Sequence, residues 1–177
     1  MSEIGDSMRY LLLSLVLSAS CASTAQADVL KVTKLKRHII KIKKGIHPMY
    51  ALSIAKYTVK ASKVYNLPPR LLVAIFKVES SFRLHAVRKD RRSRRPTDYG
   101  IGQIHISNIR RMGLNKKKLL YDLEYSIMAA ARVLSEIKKR RAKREKYYWV
   151  RYNCGSKRSL KRRTCRRYKR KIKRYYR

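Results

Sequence analysis

Leu71-Leu72-Val73-Ala74-Ile75-Phe76-Lys77-Val78-Glu79-Ser80-Ser81-Phe82 is an apolar run that closes on an acid. Pro69 suits the first turn of a helix. The spacing predicts a helix over about 69–81 with Leu72, Ile75, Phe76 and Glu79 on one side, three and four residues apart. Glu79 then points at the packed interior or at the floor of a cleft. Desolvation disfavours a charged carboxylate and raises its pKa. An acid kept neutral near working pH can protonate a leaving oxygen, the first need of glycosidic cleavage. The competing reading is a salt bridge to one of the many arginines nearby.

Upstream, Asn66-Leu67-Pro68-Pro69 breaks the chain, and Pro48 with Leu52, Ala55, Val59 and Ser62 on one face predicts a helix over 48–65. Residues 28–47 are basic, with isolated Val, Leu and Ile, and read as a linker. Downstream, 83–97 is rich in arginine and reads as a loop or a short irregular β excursion beside the cleft, with Pro96 as a breaker. Thr97-Asp98-Tyr99-Gly100-Ile101-Gly102-Gln103-Ile104 follows, its two glycines permitting a close approach to the main chain. Gln103 to Met112 reads as a short helix. Leu120, Leu123, Ile127, Ala130, Leu134 and Ile137 form one stripe, predicting a single central helix over 119–138 with Asp122 and Glu124 in its first turn. After Tyr147-Tyr148-Trp149-Val150 and Tyr152-Asn153 the chain becomes a basic tail over 156–177.

Glu79-Ser80-Ser81-Phe82, then Gly100-Ile101-Gly102-Gln103-Ile104, then an alanine-rich helix and Tyr152-Asn153 resemble, in that order, the soluble lytic transglycosylase (SLT) family of the lysozyme-like superfamily. The resemblance covers roughly 48–155. It implies a mostly α, lysozyme-like domain that cuts the glycan strands of peptidoglycan between N-acetylmuramic acid and N-acetylglucosamine, leaving a 1,6-anhydro end. Glu79 is then the general acid and base, and Ser80, Tyr99, Gln103, Tyr152 and Asn153 are the expected substrate contacts. Gly102 departs from the family, which usually has methionine there, and Arg151 replaces the alanine of its Ala-Tyr-Asn motif. The segment around Asp98 is also similar to the c-type lysozyme stretch that carries a second catalytic carboxylate. Three roles for Asp98 stay open: a catalytic carboxylate of a lysozyme-type muramidase, an electrostatic stabiliser, or a partner of Arg94 or Arg95.

Lys and Arg number 47 against 10 Asp and Glu in 177 residues, a net charge of +37. Such a field attracts polyanions: nucleic acid, anionic lipid or acidic envelope polymers. The cations and tyrosines of 166–177 suit anchoring to an anionic envelope polymer or contact with nucleic acid. A cationic nucleic-acid-binding protein is the reading from another class. Against it stands the N-terminus, where Met8-Arg9, the apolar Leu11 to Leu17 and Ala25-Gln26-Ala27 predict a signal peptide over 1–27 and export to the periplasm or cell envelope. A lipidated Cys21 is the rival there. Cleavage after Ala27 leaves Cys154 and Cys165, which in an exported chain read as a disulfide. His38, His47, His85 and His105 have no metal-ligand spacing. No metal and no organic cofactor is expected, and the chain is expected to be a monomer.

Overall fold

A computed structural model describes residues 26–155 and 161–177. The leader expected over 1–27 falls, but for its last two residues, outside them, as does Cys21. Eight helices and a small antiparallel sheet make up the described residues: α1 (26–42), α2 (Pro48–Tyr65), α3 (Pro69–Glu79), β1 (Val87–Lys89), β2 (Pro96–Tyr99), β3 (Ile104–His105), α4 (Ile106–Met112), α5 (Lys116–Tyr121), α6 (Leu123–Arg141), α7 (Arg151–Cys154) and α8 (Arg163–Tyr176). A 3₁₀ turn, Tyr148–Val150, leads into α7. No helix among them is long and apolar enough to cross a membrane.

Helix α3 is the dry centre. Leu71 through Phe76 are all buried, and α2, α6 and α8 carry much of the core around it, with further buried residues from α1, the sheet and the shorter helices. Pro69 opens α3 and His47 caps α2, accepting from the Met49 amide. The sheet order is β1-β2-β3, with Arg88 opposite Asp98 and Asp98 opposite His105. The β excursion expected after Phe82 is therefore a three-stranded sheet, and it places Arg88 and Asp98 beside the end of α3.

Four expectations are corrected. The stripe over 119–138 is not one helix: Asp122 ends α5 and caps α6, its carboxylate accepting from the Tyr125 amide at 2.9 Å. A helix-favouring pattern does not reveal that an acid inside it will turn to capping. The helix expected from Gln103 starts at Ile106, because Ile104–His105 pair with β2. Residues 28–47 are not a loose linker. Val32, Leu35, Ile39 and Ile42 lie three, four and three apart, and in α1 Leu35 and Ile39 are buried. The basic tail, as far as it is described, is helix α8, whose Cys165, Tyr168 and Ile172 are buried at the same spacing. Helices α1 and α8 meet where His38 Nε2 lies 2.8 Å from the Tyr175 carbonyl.

Candidate active site

The end of α3 is abrupt. Ser81 and Phe82 both take left-handed backbone conformations, φ 55° and 67°, which ordinary side chains seldom adopt. Phe82 is buried at 2% exposure, its amide donates to the Phe76 carbonyl, and its own carbonyl accepts from the Tyr50 hydroxyl at 2.9 Å. These anchors hold a strained reversal, a feature that clusters at functional sites, and it turns the chain away directly after Glu79.

A groove runs past Glu79. On one side opens a cavity of about 1010 Å³ lined by Tyr50, Ser81, His85, Arg88 and Gln103 among others, with Glu79 at its edge. A constriction of about 90 Å³ holds Glu79, Arg88, Asp98, Gln103, Tyr152 and Asn153. It shares His105, Asn108, Tyr152 and Asn153 with a third cavity of about 420 Å³. Glu79, Arg88 and Gln103 line both the wide cavity and the constriction, so the three spaces adjoin, with Glu79 between a wide arm and a narrower one.

Glu79 Oε1 is buried and makes no hydrogen bond of regular geometry, and the Tyr168 hydroxyl is buried in the same condition. Burial pushes the Glu79 carboxyl up to about 7. The Tyr168 hydroxyl, the Arg88 charge and the Asn153 amide pull it down by less, and the Asp98 charge adds a smaller push upward. The carboxyl is thus poised to be protonated or ionised near neutrality, the condition for general acid and then general base chemistry. No salt bridge forms at Glu79 among those the described residues make.

Asp98 is 2% exposed, and its Oδ2 accepts from Arg88 Nε at 2.9 Å and from the Thr97 hydroxyl at 2.7 Å. Arg88 is the partner, not Arg94 or Arg95, because strand pairing sets it directly opposite. Gln103 has a left-handed backbone, and its Nε2 donates to the Ala86 and Gly100 carbonyls, leaving its side-chain oxygen over for the groove. Tyr152 donates its hydroxyl to the Gly102 carbonyl at 2.9 Å. Glycine at 102 is a packing consequence: a Cβ there would stand 2.6 Å from the Ala130 Cβ and 2.8 Å from the Tyr152 hydroxyl. Asn153 is exposed in the groove.

Two expected contacts sit elsewhere. Ser80 is 3% exposed and donates to the Ile101 carbonyl at 2.8 Å, tying α3 to the Gly100–Gly102 turn. Ser81, thrown outward by the reversal, faces the wide cavity instead. Tyr99 is 8% exposed and points away from Asp98, as neighbours on a strand must; it is not among the residues that line the three spaces. Arg151, where the family motif has alanine, is buried and grips Glu145 through two nitrogens at 2.7 and 2.9 Å. Tyr168 was not singled out in the sequence, although its place in the Cys165, Tyr168, Ile172 stripe marks it as inward-facing.

The fold and this site define a mostly helical, lysozyme-like protein with a buried acid in a groove. The profile of the family described as Transglycosylase SLT domain matches residues 56–176, well over half of the chain, and the chain belongs to that family. The match takes in α8. The chain is similar to invasion protein IagB of Salmonella typhimurium, 34% identical over 83 residues, 45% of this chain and 51% of that one. It is 38% identical over 80 residues to protein IpgF of Shigella flexneri, 44% of this chain and 51% of that one. The chain thus spans about half the length of the curated relatives it matches. No solved structure matches it.

Proposed function

We propose that this chain is a peptidoglycan lytic transglycosylase, exported to the periplasm or cell envelope. The observation that carries the reading is a single poised acid in the middle of an open groove, with the other nearby carboxylate, Asp98, already held by Arg88 and Thr97. Glu79 gives its proton to the glycosidic oxygen as the bond from C1 of N-acetylmuramic acid breaks, and the N-acetylglucosamine hydroxyl leaves. The Glu79 carboxylate then takes the proton of the muramoyl 6-hydroxyl while that oxygen bonds to C1. Glu79 ends protonated again, no water is consumed, and the product carries a 1,6-anhydro ring. The side-chain oxygen of Gln103 and the Asn153 amide are the polar groups left to hold sugar, and the Tyr152 ring forms a wall of the narrow arm. Cys154 and Cys165, whose Cα atoms lie 6.0 Å apart, suit a bridge that forms on export.

A muramidase using Asp98 is the second reading, favoured by Asp98 lying in the same constriction as Glu79. Mass spectrometry of muropeptides from digested sacculi separates the two. The expected product is anhydro-terminated, lighter by one water than the reducing sugar of hydrolysis. Reducing ends alone would refute the transglycosylase reading.

A further inference from the structure

Glu79 Oε1 and the Tyr168 hydroxyl are both buried without a hydrogen-bond partner of regular geometry, and the two polar side chains beside the acid that favour its ionised form, Tyr168 and Asn153, come from separate pieces of chain. Asn153 is on α7, one residue before Cys154; Tyr168 is on α8, three residues after Cys165 and on the same buried face. The cysteines join those two pieces. We propose that the Cys154–Cys165 bridge is what completes the surroundings of the acid, by holding Tyr168 against Glu79 as a positioning residue, so that Glu79 is fully enclosed only in the oxidised chain. This rests on the reading of Glu79 as the acid.

The weakness of α8 gives the bridge its work. The helix holds no acidic residue, and its N-terminus has no side-chain cap. Arg163 and Arg166 occupy the first turn, where the helix dipole favours anions. Arg163 and Arg167, Arg166 and Arg170, and Arg167 and Lys171 are like-charged at four-residue spacing, which destabilises a helix. The far end is better supported: Lys173 and Arg174 suit the negative end of the dipole, and His38 meets the Tyr175 carbonyl. Fraying should therefore begin at the N-terminal turn, where Cys165 sits, and Tyr168 is the next buried residue inward.

Opening that turn removes two opposing influences on Glu79. The Tyr168 hydroxyl favours its ionised form, but the burial that Tyr168 helps provide disfavours it more. Tyr152, Arg88 and Asp98 also face the acid, from α7, β1 and β2, and all three keep their own supports without the bridge. Loss of the bridge should thus lower the Glu79 midpoint, whereas Tyr168→Phe with the bridge intact removes only the hydroxyl and should raise it.

The test titrates the carboxyl of ¹³C-glutamate-labelled full chain by NMR, and follows amide exchange, for the oxidised wild type, a Cys154→Ser/Cys165→Ser double variant and Tyr168→Phe. The double variant is expected to lower the Glu79 midpoint by about one unit or more and to speed exchange across 165–170 while α6 stays protected. Tyr168→Phe is expected to shift it upward. An unchanged midpoint in a folded double variant, equal shifts in one direction, or loss of protection in α6 as well would each overturn the proposal. None of these readings needs substrate, so a chain that fails to cleave sacculi refutes the function proposed above without deciding this one.

Discussion

Helices α3 and α8 meet at Glu79 and are built on opposite principles. Six consecutive residues of α3, Leu71 to Phe76, are buried, so the helix is held on every side by the surrounding core. In α8 three side chains, Cys165, Tyr168 and Ile172, are buried, and nearly everything else is Lys or Arg facing solvent. Helix α3 supplies the acid and the dryness that raises its pKa. Helix α8 supplies Tyr168 beside it and the charge that meets the outside. Glu79 thus lies between an element whose position is over-determined and one whose position rests on a narrow stripe and a covalent tie.

Changes on the α3 side should be the most severe. Glu79→Gln is nearly isosteric but cannot cycle a proton, so sacculus cleavage should fall by about 10²–10⁴-fold or more; near-wild-type clearing would remove Glu79 from the mechanism. The same variant reports on stability, with a definite sign. An acid whose pKa is raised to about 7 from 4.5 binds its proton more tightly folded than unfolded. Its contribution is therefore full below 4.5, is lost as pH rises towards 7, and leaves a penalty of about 3 kcal/mol above that. Denaturant melts should show Glu79→Gln stabilising the chain at pH 8 and hardly at all at pH 4. Equal effects at both pH values would mean that the carboxyl is not buried as described.

Packing gives a comparable contrast. Phe76 is fully buried in α3, and Phe76→Ala should cost about 3–5 kcal/mol, loosening the whole chain. Ile172 is equally buried, in α8. Ile172→Ala should cost about 2–5 kcal/mol, but its exchange signature should stay within α8 and α1. Uniform loss of protection in both variants would show that the two helices belong to one cooperative unit.

The α3 side of this contrast was legible in the sequence and the α8 side was not. A continuous apolar run ending in Glu79 has few alternatives to a buried helix, and the order of Glu79, Gln103 and Tyr152-Asn153 carried the family. The helix boundary did not follow from the pattern, because the left-handed turn at Ser81 and Phe82 is imposed by tertiary anchors, Tyr50 among them, and it exchanged the roles of Ser80 and Ser81. Strand alternation could have removed Tyr99 from the cleft once Asp98 was placed in it. The stripes Val32, Leu35, Ile39, Ile42 and Cys165, Tyr168, Ile172, Tyr175 share the same three-four-three spacing and were masked by the cations around them. Charge density reads as linker or tail, but a helix needs only one buried stripe to dock.

Asp98 offers a finer cut. Its charge pushes the Glu79 pKa up, and it neutralises Arg88, whose charge pulls the other way. Asp98→Asn removes both restraints, so the Glu79 pKa should fall and the alkaline limb of the activity profile should move to lower pH. At neutral pH cleavage should slow by about tenfold or less, one pKa unit's worth, with the anhydro product unchanged. A dead variant, with reducing-end products from the wild type, would make Asp98 a second catalytic carboxylate.

The smallest effect is expected on the outer face of α8. Deleting residues 157–177 would be a poor probe of that face, because Tyr168 and Ile172 would leave the core along with the charge. Arg166→Ser, Arg170→Ser and Arg174→Ser together touch only exposed positions. Stability should move by no more than about 0.5 kcal/mol per site, because relief of like-charge repulsion at Arg166 and Arg170 is offset by the loss of Arg174 from the negative end of the dipole. Binding to sacculi should weaken at low salt, and the difference from wild type should shrink as salt rises, because exposed charges are screened within about 10 Å at 0.1 M. Pull-down that is unchanged at every salt concentration would mean that these three cations take no part in targeting, and that α8 serves through its buried stripe.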